Sequence, residues 1–392
     1  MSASVSDSRT AKGYRLGTHR IVDPATTWQR LQPVLHDVGV TRVADVTRLD
    51  RLDIPVFQAI RPASHNLSVS QGKGVTADAA RVSAVMESIE LFHVEELVGV
   101  EQMAFSLNEM RAINPLATDH LPWLPTAPRL GSLQIDWVAA TELATERRAW
   151  LPKQAVELDL RLPDRFVPRM FHQSSSGLAS GNHLAEALVH ALTELIERHG
   201  VYLSAHAGRP RRAIDPDSVE TPFCVDLIAR FRDAGARLAI HDLSWEVGLP
   251  VVSVALSLPD LPHVFGGSGC HPSRDVALSR ALTEAAQSRL TFISGARDDL
   301  PALTGGLDDL PLPDHPMWRY LPHDDFVEPE PERRLDQLPD CAGDDVATDL
   351  DTILDALARL NTHAYAVDLT RDDIGVAVVK TYIPGLGESH EV

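Results

Sequence analysis

Cysteine is scarce in this 392-residue chain: Cys224, Cys270 and Cys341 are the only three, and they lie far apart. An odd, widely spaced set excludes a disulfide scaffold and a cysteine-based zinc motif, and it suits a reducing cytoplasm. Basic residues are also in deficit, 36 against 55 acidic ones, for a formal charge of −19. Such a surface repels a phosphate backbone and argues against nucleic acid as a general partner. No run approaches the roughly 18 uninterrupted apolar residues of a membrane helix. Residues 1–12 lack the apolar core of a signal peptide. No segment has the composition of a flexible interdomain linker. What is present is 44% hydrophobic and 23% charged residues, the balance of a soluble globular protein long enough to bury a substantial core.

Residues 1–55 read as a helical preamble. Residues 28–38 carry apolar side chains at helical spacing, and residues 43–54 lead into Pro55. Residues 56–392 read as one large unit with a Pro- and Asp-rich surface excursion at about 298–347. The spacing predicts helices near 78–97, 184–205, 219–234, 274–293 and 348–360. It predicts strands near 237–242, 251–256, 362–368 and 375–383, and Gly/Ser loops at 72–74, 174–182 and 266–269. Prolines break residues 103–170 into short strands and loops. Helices and strands alternate throughout, so the fold class is α/β, with α+β as the alternative.

Three of the predicted helices share a pattern. The first contains Ser83-Ala-Val-Met-Glu87-Ser-Ile-Glu90, the second His190-Ala-Leu-Thr-Glu194-Leu-Ile-Glu197-Arg198, and the third Arg280-Ala-Leu-Thr-Glu284-Ala-Ala-Gln287-Ser-Arg289. Glycines precede each: Gly72 and Gly74, Gly177 and Gly181, Gly266 to Gly269. The copies are unequally spaced, so they are not solenoid units but three loop–helix elements within one fold. Residues three and four apart share a helix face, which sets Glu87 beside Glu90 and aligns Glu186, His190, Glu194 and Glu197 in one stripe. The neighbouring faces are apolar (Val82, Met86, Ile89, Phe92; Leu188, Ala191, Leu195, Ile196), so the stripes are partly buried. Clustered, desolvated carboxylates repel one another, and either protonation or bound cations relieve this. Several Glu oxygens from different helices suit Mg2+. A single Glu-x-x-Glu-Arg is usually a solvated helix face. Three copies in the same context argue for a site.

Candidate phosphate contacts fit the same picture. Lys73 stands between two glycines, where backbone can approach a ligand closely. This is not a Walker A loop, because Leu67 occupies the place of its first glycine and no Ser or Thr follows the lysine. Arg198 and Arg289 follow the carboxylates and can clamp phosphate oxygens. Asn182 is either the N-cap of the second helix or a ligand contact. Gly295 is a C-cap candidate, and Arg297 a further anion contact. These residues point to a Mg-nucleotide site without a P-loop. Cys270 and His271 are adjacent and therefore point apart, which argues against a dyad. Ser175 and Ser176 lack the Gly-x-Ser-x-Gly elbow. His190 is open between a proton carrier and a packed histidine.

At these residues the sequence resembles the YcaO family. The stretches that carry the resemblance are Gly72-Lys73-Gly74 through Glu90, Ser176-Gly-Leu-Ala-Ser-Gly-Asn182 through Arg198, and Ala281 through Arg289, and the likeness covers about residues 55–385. It implies a YcaO-type fold with mixed sheets and ATP-dependent activation of a peptide backbone amide: a nucleophile adds to the carbonyl, ATP phosphorylates the oxygen, and phosphate is eliminated. A Cys, Ser or Thr nucleophile gives an azoline, and external sulfide gives a thioamide. The run from Gln287 to Asp299 resembles the subgroup found beside TfuA proteins, which favours a thioamide and implies a TfuA-like partner. Leu91 stands where the family usually has Arg. The chain ends without the proline-rich tail of azoline-forming members, and the preamble is short for a leader-binding domain, so a partner is expected to recognise the peptide. By position, the resemblance implies Mg2+ at Glu87, Glu90, Glu186, Glu194 and Glu197. It implies ATP contacts at Lys73, Ser83, Asn182, Arg198, Gln287 and Arg289. A cytoplasmic homodimer acting on a ribosomal peptide or protein follows from the same likeness. No catalytic nucleophile or general base is identified. The alternatives are an azoline-forming cyclodehydratase and a non-catalytic nucleotide-binding accessory of a sulfur-transfer system.

Overall fold

The computed structural model describes residues 11–116, 118–161, 168–261, 263–295 and 326–386. Three antiparallel sheets surround three long helices. The first sheet runs β1 (Arg42–Asp45), β2 (Val56–Ile60), β3 (Val69–Lys73). The second runs β4 (Gln102–Ser106), β5 (Gln134–Glu142), β12 (Tyr365–Asp368), β13 (Ala377–Tyr382), β7 (Leu178–Gly181), with β6 (Arg148–Pro152) also paired to β5. The third runs β11 (Val264–Cys270), β10 (Val251–Ser257), β9 (Arg237–Asp242), β8 (Arg212–Ala213). Helices α1 (Pro24–Leu31), α3 (Leu107–Ile113), α4 (Lys153–Val156), α6 (Pro222–Asp233) and α8 (Val346–Arg359) pack around this frame.

The strands β3, β7 and β11 are each an edge of their own sheet. Each turns at once into a long helix: α2 (Ala77–Glu95), α5 (Leu184–Ala205) and α7 (Arg274–Ser294), with N-caps Thr76, His183 and Ser273. The three units superpose in sequence. Ala80 and Ala84 follow Gly72 by eight and twelve residues, as Ala187 and Ala191 follow Ala179 and as Ala277 and Ala281 follow Gly269. All six alanines are buried. A Cβ added at Gly72 would collide with the backbone of Ala80 and Ala84, and one at Gly269 with the backbone of Ala277 and Ala281. Strand and helix thus meet backbone to backbone, which demands the smallest residues on both sides.

Several local expectations change. The stretches read as Gly/Ser loops at 72–74 and 266–269 are largely strand, and 174–182 is strand at Leu178–Gly181 after a turn at Gly177 (φ 75°), because Gly72, Gly267 and Gly269 serve helix contact rather than a turn. Among the described residues of the preamble α1 is the only α-helix, with short 3-10 turns at Gln32–Val34 and Thr47–Leu49, while Arg42–Asp45 forms β1 and pairs with β2. Asn182 is not the N-cap of α5; His183 is, accepting from Ala185 N. Gly295 does cap α7 in the left-handed conformation, at φ 57°. Residues 296–325, including Arg297, and 387–392 lie outside the described residues. In the later part of the predicted excursion Phe326, Leu335 and Leu338 are buried anchors, while most of residues 326–340 are exposed. Among the described residues no helix is long and apolar enough to cross a membrane.

Candidate functional site

A cavity of about 1190 Å³ opens between the three units. The edge strands present backbone N–H groups that no neighbouring strand takes up, an exposure proteins must cover. Here helix-borne carboxylates cover them. Glu87 accepts from Gln71 N of its own unit at 2.5 Å. Glu90 reaches the next unit and accepts from Ser180 N and Oγ at 2.8 and 2.7 Å. Glu194 accepts from Gly177 N at 3.0 Å. Glu197 again reaches onward, accepting from Cys270 N at 3.0 Å and Ser268 Oγ at 2.7 Å. Gln287 closes the ring: its Nε2 donates to Gln71 O of β3 at 3.0 Å. Each helix is therefore stitched to the strand of the following unit by the residue three positions after its first Glu.

The electrostatics differ around the ring. Burial raises the Glu90 carboxyl to about 8, and the charges of Glu87 and Glu194 push the same way against the Ser180 hydrogen bonds. Burial and then Glu284 raise Glu197, opposed by Arg280 and Lys73. Lys73 pairs with Glu284. Arg280 Nη2 stands 3.9 Å from Glu197 Oε2, and Arg280 Nε is buried without a hydrogen-bond partner. Burial, with Arg280, Arg20 and Lys73 nearby, holds His190 well below its usual range, so it is neutral near pH 7. Arg198 donates to Glu194 Oε1 at 2.9 Å. Glu186 accepts from Ile21 N at 3.0 Å and from Asn182 N and Nδ2 at 3.3 Å.

Of the residues singled out in the sequence, Lys73, Ser83, Asn182, Arg198, Gln287, Glu87, Glu90, Glu186, Glu194 and Glu197 all line this one cavity. Arg289 does not. It is 1% exposed and held by Asp50 at 2.8 Å and Asp260 at 2.7 Å, a strut between α7 and the loops around it. Arg280 was missed, although its place was marked, since it stands where the other helices carry Ser83 and His190. Arg20 had no such signal, because only the folded chain brings it to 3.6 Å from Glu186. The Cys270 thiol is buried and its ionisation pushed well up by burial. Mutually repelling, partly buried carboxylates fit a divalent cation, and the orphaned Arg280 donor with Lys73 fits a phosphate.

Residues 71–387 match the protein-family model described as YcaO cyclodehydratase, ATP- and Mg2+-binding. The chain belongs to the YcaO family. ATP and Mg2+ are the family's cofactors, and they suit the donor set just described. The chain is 43% identical over 293 residues to an uncharacterized protein of Mycobacterium tuberculosis H37Rv, covering 75% of this chain and 66% of that protein. It therefore spans just under two thirds of that relative's length. It is 39% identical over 292 residues to an uncharacterized protein in the tfuA 3′ region of Rhizobium leguminosarum bv. trifolii, covering 71% and 69%. The solved structure of YcaO from Methanopyrus kandleri, bound with AMPPCP and Mg2+, matches with a TM-score of 0.74 at 22% identity, over 98% of this chain and 99% of that one. This likeness shows the YcaO fold over 98% of this chain.

Proposed function

We propose that this YcaO chain activates a peptide backbone amide by ATP-dependent O-phosphorylation, and that sulfur delivered by a TfuA-like partner then yields a thioamide. The observation that carries the reading is the polarity of the cavity. Glu87 and Glu194 stand close enough to Glu90 for their charges to act on it, while Lys73 pairs with Glu284 and Arg280 stands 3.9 Å from Glu197. Phosphoryl transfer needs charge neutralisation and positioning more than covalent chemistry from the protein. When bound, ATP supplies the phosphoryl group and Mg2+ neutralises its charge. In this reading Glu87, Glu90, Glu186, Glu194 and Glu197 hold the metal. Lys73, Ser83, Asn182, Arg198 and Gln287, joined by Arg280, face the nucleotide. Arg289 acts on the frame instead.

Two observations support external sulfur. A relative at 39% identity lies in a tfuA region. The Cys270 thiol, which lies behind Glu197, is buried and kept protonated, so it is no nucleophile. The family description as a cyclodehydratase favours a second reading, azoline formation at the same site.

Incubation with ATP, Mg2+, a candidate peptide, sulfide and a TfuA-type partner separates these readings by mass spectrometry. Oxygen-to-sulfur exchange is expected. Loss of water from a Cys-containing peptide would transfer the assignment to azoline formation. Intact nucleotide binding with no ATP turnover would overturn the catalytic reading in favour of an accessory role.

A further inference from the structure

The segment before the family match reaches all three strand–helix units. Tyr14 and Arg20 exchange backbone hydrogen bonds of 2.9 Å, forming a hairpin with Gly17 at φ 74° in its turn. A Cβ at Gly17 would strike Val75, just ahead of α2, and crowd Ser279 on α7. Beyond the turn, Ile21 N donates to Glu186 on α5. Leu16, Thr18 and Arg20 line the cavity itself. One short hairpin therefore closes the ring of units at the nucleotide site.

A buried ion pair secures the base of this hairpin. Lys12 Nζ lies 2.6 Å from Asp349 Oδ2 and donates to Gly343 O at 2.8 Å, with side chains 0% and 1% exposed. Gly343 N donates to the other Asp349 oxygen at 2.8 Å. His19 and His271 stand beside the pair, rings 4.9 Å apart, and with Asp349 they are close enough to surround a metal ion. The hydrogen bonding argues otherwise. Ser273 N donates to His271 Nδ1 at 2.9 Å, which leaves the proton of the neutral ring on Nε2, the nitrogen that faces Asp349 at 4.0 Å. The cation of this pocket is Lys12.

We propose that Lys12 and Asp349 are positioning residues for the nucleotide site: their buried pair fixes the hairpin so that its turn covers the cavity and its last residues orient Glu186. This inference rests on reading the cavity as a Mg-ATP site. The test is equilibrium binding of a non-hydrolysable ATP analogue with Mg2+, well below the melting temperature, for the wild type, Lys12→Met and Asp349→Asn. Both folded variants are expected to bind roughly tenfold more weakly, with KM for ATP rising and kcat nearly unchanged. A purely structural role would lower the melting temperature and leave affinity untouched, which overturns the proposal. Should both variants fail to fold, hydrogen exchange on the wild type decides. Mg-analogue binding must slow the amides of Tyr14, Arg20 and Ile21, and unchanged exchange refutes a closing role. A wild type that binds no nucleotide overturns the Mg-ATP reading and this inference together. A wild type that binds, with variants that bind equally well, overturns this inference alone.

Discussion

The α2 and α7 ends of the cavity are built from the same strand–helix unit yet carry opposite electrostatic character. On α2 the three equivalent cavity-facing positions are Ser83, Glu87 and Glu90; on α7 they are Arg280, Glu284 and Gln287. The first set leaves two carboxylates, and burial with Glu194 nearby drives Glu90 up to about 8. The second set is internally neutral, and Lys73 reaches over from β3 to make it cationic. The middle helix stands between them with His190, Glu194 and Glu197. One backbone arrangement has thus been given a gradient by two exchanges, Ser83 against Arg280 and Glu90 against Gln287, together with Lys73. The gradient matches a metal-loaded polyphosphate, cations at one end and anionic oxygens at the other.

The comparison can be broken at its centre. Glu194→Gln removes the carboxylate on the middle helix that acts on Glu90, and is expected to cut ATP turnover about a hundredfold or more while the fold survives; wild-type turnover in a phosphate-release assay would refute its role in the site. The structural equivalence of the ends is tested next. Gly269→Ala and Gly72→Ala place a Cβ against helix backbone at matching positions, and each is expected to cost about 1–3 kcal/mol in denaturant unfolding. A large loss for one and none for the other would show that the units are not equivalent. The cationic end is probed by Arg280→Met, expected to weaken nucleotide binding about tenfold, measured by calorimetry, with little change in Mg2+ dependence.

The smallest effect is a pH dependence. Without a cation beside it, Glu90 holds its proton up to about pH 8. Metal must displace that proton, so Mg-nucleotide affinity is expected to rise as pH climbs from about 6 to 8 and to level off above, by less than tenfold per pH unit. The linkage has a matching sign for stability. A carboxyl raised above its unfolded value makes the metal-free protein lose stability as pH rises from the ordinary Glu range toward 8. Glu90→Gln should flatten both slopes, and a slope that persists would assign the proton elsewhere.

Legibility in the sequence followed the strength of the local pattern. Residues 184–205 carry enough helical periodicity that α5 has the bounds the spacing predicts, and the β-branched run at 251–256 reads as β10 with one residue to spare. Glycine defeated the same reasoning at β11. Its Gly266-Gly-Ser-Gly269 run has loop composition, and it is a strand because α7 lies directly on it. The carboxylate stripes were legible because helix spacing is rigid. The role of Arg289 was not, because Asp50 and Asp260 approach it from distant loops.

By itself the sequence determined the three repeated helices, the residues on their inner faces and the scarcity of reactive thiols, since these follow from periodicity and composition. Only the tertiary structure decided that the repeats close into a ring, that their carboxylates cap the free edges of three sheets, and that Lys12 and Asp349 anchor a hairpin across it. The physical reason is range. Helical periodicity is set by neighbours three and four residues away. An edge strand's unpaired N–H, or a buried ion pair spanning most of the chain, is satisfied only by whatever folding brings beside it.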